Sequence, residues 1–209
     1  MKTEQEKLKY LNAELGTNYE TLDAVNWIAI TRNEKLSVDF IRTFQDEVWW
    51  YDISQYQQLS EDFIHEFADK VDWCYISKYQ TLSENIISEF RDEVDWEYIS
   101  EYQSLSEDFI REFKEYVAWE FISTYQDLSE GFIREFKDDV DWFYISRHQE
   151  LSEDFIREFS DRLNWFGVSK CQKLSEGFIR EFQDKVDWII ILQCQDLSKE
   201  FRNEFKDRL

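Results

Sequence analysis

Carboxylates at a fixed spacing are the residues of this chain whose pattern first suggests chemistry. Glu66, Glu89, Glu112, Glu135, Glu158, Glu181 and Glu204 each stand three residues before another acid: Asp69, Asp92, Glu115, Asp138, Asp161, Asp184 and Asp207. Two carboxyls one helical turn apart can serve as general acid and base, or hold a hard cation. Seven copies of one active site are improbable, and seven copies of a solvated helix face are not. The Ser-Glu-Asp triplets at 60–62, 106–108 and 152–154 have an equally plain reading, because acids in a first turn complement the helix dipole. Cys74, Cys171 and Cys194 form no C-x-x-C, and with His65 and His148 they show no zinc-ligand spacing. There is no glycine-rich phosphate loop and no nucleophile–base–orienter set. The expectation is a protein that is not an enzyme and needs neither metal nor cofactor.

The elements that position these acids derive from a repeat. Trp occurs at 27, 50, 73, 96, 119, 142, 165 and 188, every 23 residues. The unit reads approximately W-x-Y-I-S-x-Y-Q-x-L-S-E-D-F-I-R-E-F-x-D-x-V-D. In one copy, Asp72 is a good N-cap, and Val71 and Ile76 have the spacing of a hydrophobic staple. Trp73, Ile76 and Tyr79 then fall on one helical face. The grammar recurs with Ser83 as N-cap, Leu82 and Ile87 as staple, and Ile86, Ile87 and Phe90 as the buried face. Each unit is thus expected to be two helices of about 8–10 residues, too short to persist alone. Neighbours must stack to bury the Trp, Ile and Phe columns. The fold expected is all-α: an α-solenoid of eight two-helix repeats over 27–209, one continuous domain, with an N-terminal helical cap at 1–26.

The ends fit a closed stack. The Ile column at 41, 64, 87, 110, 133, 156 and 179 becomes Arg202 in the last copy, and Leu8, Leu11 and Leu15 line a helix ending near Gly16. The Gln column at 57, 80, 103, 126, 149, 172 and 195 reads as a structural ladder or a bond to turn carbonyls. His148, Cys171 and Cys194 continue the Tyr56, Tyr79, Tyr102, Tyr125 column and are expected to be packed, the cysteines more loosely. No apolar run approaches the roughly 18 residues of a membrane span, and MKTEQEKLKY lacks the apolar core of a signal peptide. A cytoplasmic protein without membrane contact is expected.

The unit VDWCYISKYQTLSENIISEFRDE at 71–93 resembles short helical repeats of uncharacterised proteins from bacteriophages and large DNA viruses. The resemblance covers nearly the whole chain and carries no catalytic motif. It implies a viral source.

Charge does not obey the repeat. The formal net charge is −22, from 46 acidic and 24 basic side chains. Residues 50–141 carry −17 of it, and the last two units are neutral. Such a balance excludes direct nucleic-acid binding through basic clusters. The excess comes from acids where other units carry something else: Asp52, Glu93, Glu97, Glu101, Glu120, Asp127 and Asp139. Concentrated like charge repels itself, so a binding role in return is expected of these seven residues. Helices stacked about 8–10 Å apart carry carboxylates on the scale of phosphate rows. The leading reading is a nucleic-acid mimic that fills the basic surface of a host nucleic-acid-binding defence protein, of anti-CRISPR or anti-restriction type. The alternative is a general interaction scaffold that takes a peptide or protein through Tyr75, Tyr98, Phe121 and Tyr144.

Overall fold

The computed structural model describes residues 2–208, and every regular element among them is helical. The fold is an α-solenoid-like helical repeat, as the 23-residue period requires. It comprises two compact units, residues 1–98 and 99–209. Unit 1 holds α1 (Glu4–Leu15), α2 (Trp27–Asn33), α3 (Val38–Thr43), α4 (Trp50–Tyr56), α5 (Glu61–Glu66), α6 (Trp73–Tyr79) and α7 (Glu84–Glu89). The boundary falls inside α8 (Trp96–Tyr102). Unit 2 continues with α9 (Glu107–Glu112), α10 (Trp119–Tyr125), α11 (Glu130–Glu135), α12 (Trp142–His148), α13 (Glu153–Glu158), α14 (Trp165–Cys171), α15 (Glu176–Glu181), α16 (Trp188–Cys194) and α17 (Lys199–Glu204).

The helices of each repeat have seven and six residues, shorter than the eight to ten expected. The first stops at a Gln in extended conformation, as Gln126 at φ −94° and ψ 144°. The second stops at a Phe and gives way to a separate hydrogen-bonded turn: Asp139 and Val140 both donate their N–H to the Phe136 carbonyl. The starts obey cap chemistry. Ser83, Ser129 and Ser152 accept an N–H of their own first turn, and Asp72, Asp141 and Asn164 do the same for first helices. Trp49 and Ala118 stand at cap positions without a side-chain acceptor.

A serine whose role the sequence pattern does not reveal compensates. Ser146 Oγ donates to the Trp142 carbonyl at 2.6 Å and accepts the Asn164 N–H of the next repeat at 2.9 Å. Ser100 Oγ likewise accepts the N–H of Ala118 at 3.0 Å, and Thr31 Oγ1 that of Trp49 at 3.4 Å. These hydroxyls are fully buried and tie each first helix to the start of its successor. The Gln column also couples repeats. Gln126 Nε2 donates to the carbonyls of Ser100 and Gln103, and its Oε1 accepts the Leu105 N–H. A third coupling runs from Glu130, whose Oε1 accepts the Ser152 N–H at 2.7 Å.

The core lies between the two helix layers of each unit. Ile122, Ile133, Ile145, Ile156, Phe132 and Phe155 are fully buried in unit 2, and Phe40, Phe44, Ile53 and Ile76 in unit 1. Two expectations about packing need correction. Trp73 is buried, but Trp119, Trp142 and Trp165 are only half-buried. Each indole N–H binds a carbonyl five residues back, as Trp142 to Lys137 at 2.9 Å, while the ring covers a Phe pair. The Tyr column is not core: Tyr56, Tyr79, Tyr102 and Tyr125 are exposed, as are His148, Cys171 and Cys194 in the same register. So short a helix turns only a few positions inward, and Trp, Ile and Ser take them.

The first and last repeats differ from the inner ones. At the front, Leu11 is buried and the Tyr10 ring stacks on Phe44. In the last repeat Leu192, Lys199 and Arg202 stand where inner repeats have Ser, Glu and Ile.

Candidate interaction surface

The solvent face of the first helices carries residues 2, 3, 6 and 7 of each repeat, with Trp counted as residue 1. It is where Glu97, Glu101, Glu120 and most of the exposed aromatics fall. The second helices present a different surface, on which acids and arginines neutralise each other. Arg134 Nε meets Glu158 at 2.8 Å, Arg157 meets Glu181 at 2.9 Å and Arg42 meets Glu66 at 2.6 Å. The Glu66 carboxyl is held below its ordinary value, chiefly by the Arg42 hydrogen bond. Most of the recurring carboxylates that suggested acid–base chemistry thus stand in a ladder of exposed ion pairs; Asp207 lies outside the described side chains. No cluster able to hold a metal occurs among the described residues.

The seven non-repeating acids separate into three groups. Asp52 leaves the candidate set. Its side chain is 2% exposed and bonds Arg32 at 3.0 Å, so no partner can reach it. The hydrogen bond to Asp52 also raises the Arg32 guanidinium above its ordinary value. Burial of this acid depends on a cation one repeat earlier, at a separation of twenty residues that no helical period marks.

Glu93 and Asp139 are exposed in the turn before a first helix. Other repeats put a cation there, which pairs with an acid 24 residues earlier: Lys70 with Asp46, Arg162 with Asp138, Lys185 with Asp161. Glu93 therefore faces the register of Asp69, and Asp139 that of Glu115, acid towards acid. The same cations lie over the indole twenty residues earlier, as Arg162 over Trp142 at 5.9 Å, and at that position Trp73 has Glu93 and Trp119 has Asp139.

Glu97 in unit 1, and Glu101, Glu120 and Asp127 in unit 2, sit on or just after first helices. Glu97, Glu120 and Asp127 are exposed and Glu101 is half-buried. Glu120 accepts the Tyr144 hydroxyl at 3.0 Å, which holds that phenol above its ordinary value. Glu101 and Asp127 line one cleft of about 270 Å³ with Tyr102 and Tyr125. Neither carboxylate has a cation partner among the described residues.

The aromatic residues of this face also pair. In unit 1 the Tyr51 and Tyr75 hydroxyls hydrogen-bond, their rings 4.2 Å apart, and this bond raises the Tyr75 phenol well above its ordinary value. Lys78 Nζ lies 4.6 Å from the Tyr98 ring centroid. In unit 2 Phe121 stacks on Tyr125 at 6.2 Å, and Phe143 meets Tyr144 edge-on at 5.2 Å. Tyr75, Tyr98, Phe121 and Tyr144 are half-buried rather than free, whereas Tyr102 and Tyr125 are 48% and 55% exposed. Position 3 meets positions 2 and 6 of the preceding repeat, and position 7 stands further out beside it.

No helix among the described residues is long and apolar enough to cross a membrane. No family model, no curated protein and no solved structure matches the chain.

Proposed function

We propose that the chain is an acidic interaction protein that occupies the basic nucleic-acid channel of a partner, its unpaired carboxylates standing where phosphates would lie. One contrast carries the reading. Most repeating acids of the second helices pair with an arginine of the neighbouring repeat, Glu112 opposite Ser88 being an exception. Glu93, Glu97, Glu101, Asp127 and Asp139 have no cation partner among the described residues. Unpaired like charge on a stable scaffold is an electrostatic cost that a basic partner offsets. A bacterial nuclease of restriction or CRISPR type is the kind of target that the phage-like repeat suggests.

Affinity capture from bacterial lysate, eluted in rising salt and read by mass spectrometry, tests it. Release of a nucleic-acid-binding protein at moderate salt supports the reading, since contacts between exposed charges are screened. Reversal of Glu97, Glu101, Glu120 and Asp127 to Lys must abolish that capture without unfolding the chain. A partner held through high salt, and lost on Tyr102→Ala with Tyr125→Ala, transfers the function to a scaffold that binds through exposed aromatics. The specific observation behind that second reading is the exposure of those two rings beside the cleft.

A further inference from the structure

Position 6 of one repeat meets position 3 of the next, twenty residues later. In unit 1 these are Arg32 and Asp52, a cation and a buried carboxylate at 3.0 Å. In unit 2 the same pair of positions holds Arg147 and Gly167. The carboxylate that completes the arrangement is absent from the chain.

Its absence changes how Arg147 lies. A Cβ at Gly167 would stand 2.9 Å from Arg147 Cγ and 3.1 Å from Ser146 Cβ, so the missing side chain is what lets the arginine stem come this close. The guanidinium carbon sits 3.9 Å from the Phe143 ring centroid and 5.5 Å from that of Phe166. Both rings are 41% exposed. Arg147 Nε is buried and has no hydrogen-bond partner. Among the described residues Arg147 is the arginine with neither a hydrogen bond nor an ion pair, in a chain with 46 acids.

The surroundings set the sign of a ligand. Arg147 lines a cleft of about 290 Å³ with His148, Glu150, Cys171 and Lys173. Lys170 Nζ lies 5.9 Å from the Phe166 centroid on the adjacent helix. Glu150 is the one carboxylate on the cleft, against Arg147 and Lys173. Glu120, an acid on the preceding first helix, is engaged by the Tyr144 hydroxyl. The acids of distant repeats lie beyond the Debye length of about 8 Å at physiological salt, so the local cations decide.

We propose that Arg147, gripped between Phe143 and Phe166 beside Gly167, is the docking site for a carboxylate borne next to an apolar side chain on an acidic segment of a partner protein. A guanidinium over two rings has its Nη groups available to a planar carboxylate in bidentate fashion. The exposed phenyl rings then cover the apolar neighbour. This site is separate from the unpaired acids and opposite in charge, and it stands or falls without them.

The test uses ¹⁵N NMR of the full chain, tracking the Arg147 Nε–Hε resonance and the Phe166 amide. The probe is the peptide acetyl-Phe-Glu-Phe-amide, with acetyl-Phe-Gln-Phe-amide as its neutral counterpart. A saturable shift with the Glu peptide, about fivefold weaker or more with the Gln peptide, is expected. Gly167→Asp supplies the internal carboxylate that Asp52 supplies to Arg32, and the peptide response disappears. Arg147→Gln, which removes no hydrogen bond of the folded chain, abolishes the Phe166 amide shift even if Gly167→Asp fails to fold. Equal responses to the two peptides, a shift that survives Arg147→Gln, or the same response to inorganic phosphate alone each overturns the proposal.

Discussion

Gln149 reaches back one repeat and donates its side-chain amide to the main-chain carbonyl of Gln126 at 2.8 Å. The same amide reaches the Ser123 carbonyl at 3.1 Å, and Oε1 accepts the Leu128 N–H at 3.0 Å. One side chain, 7% exposed, therefore closes three main-chain groups that the end of a first helix leaves open. Gln149→Leu is similar in bulk but strands all three. It should cost about 2–4 kcal/mol by urea unfolding. Gln195→Leu, at a half-buried position that water can reach, should cost less. Equal and small losses would mean that water replaces the amide.

Ser146 should be sensitive out of proportion to its small side chain. Ser146→Ala orphans the Asn164 N–H that opens the next first helix, at a cost of about 1–2 kcal/mol. Ser146→Thr should be tolerated, because Thr31 performs the same two bonds in unit 1. Equilibrium unfolding of the pair decides: a Thr variant as weak as the Ala variant removes the hydroxyl from the explanation.

Acid should loosen the couplings that depend on carboxylates. The Ser198 N–H binds Glu176 Oε1 at 2.7 Å and holds that carboxyl below its ordinary value. Lys185 does the same to Asp161 through its hydrogen bond. A carboxyl with a lowered folded-state pKa stabilises above its unfolded value of about 4.3 for Glu, and loses that effect as pH falls through the folded value. The Ser198 amide shift should accordingly stay constant from pH 7 to about 5 and move below about 4. Glu176→Gln keeps an acceptor and removes the titration; a Ser198 profile unchanged in that variant would place the effect elsewhere.

Half-burial predicts a milder Trp than full burial does. Trp119 keeps part of its ring in water and lacks the cation that covers Trp142. Trp119→Ala should cost about 2–3 kcal/mol, below the roughly 3–5 of a fully buried ring. Ile122→Ala, at 0% exposure three residues on, should cost at least as much. Denaturant midpoints in the same background give the order directly.

Cap residues, period and buried Ile and Phe were all legible, because each is fixed within one repeat by local chemistry. Ser83 and Asp72 cap as their side chains dictate. What the sequence concealed depends on the neighbour. Ser146 acts on residue 164 and Arg32 on residue 52, across distances of 18 and 20 that no helical period marks. For the same reason Asp52 looked like surface charge, and the Tyr column like core. Tyr79 lies in register with Trp73 and Ile76, but the place it would fill belongs to Gln80, which is buried to serve the preceding repeat. The acids Glu93 and Asp139 were recognisable as exceptions. Their meaning, a cation replaced by an acid over an indole, required the ladder of Lys70, Arg162 and Lys185.

Leu192, Lys199 and Arg202 have a further consequence. Inner repeats such as the one from Trp142 offer their successor a hydroxyl and a carboxylate, and the last repeat offers an isobutyl group and an ammonium. A second molecule arriving front-first at that repeat finds no acceptor for its own helix starts, and α1 already covers its front. These three side chains and α1 are expected to disfavour the open-ended filaments to which head-to-tail contacts lead. Leu192→Ser with Lys199→Glu and Arg202→Ile, combined with removal of residues 1–24, should assemble into fibres visible by light scattering and electron microscopy. A variant that stays dispersed would show that something other than these three side chains and α1 arrests growth.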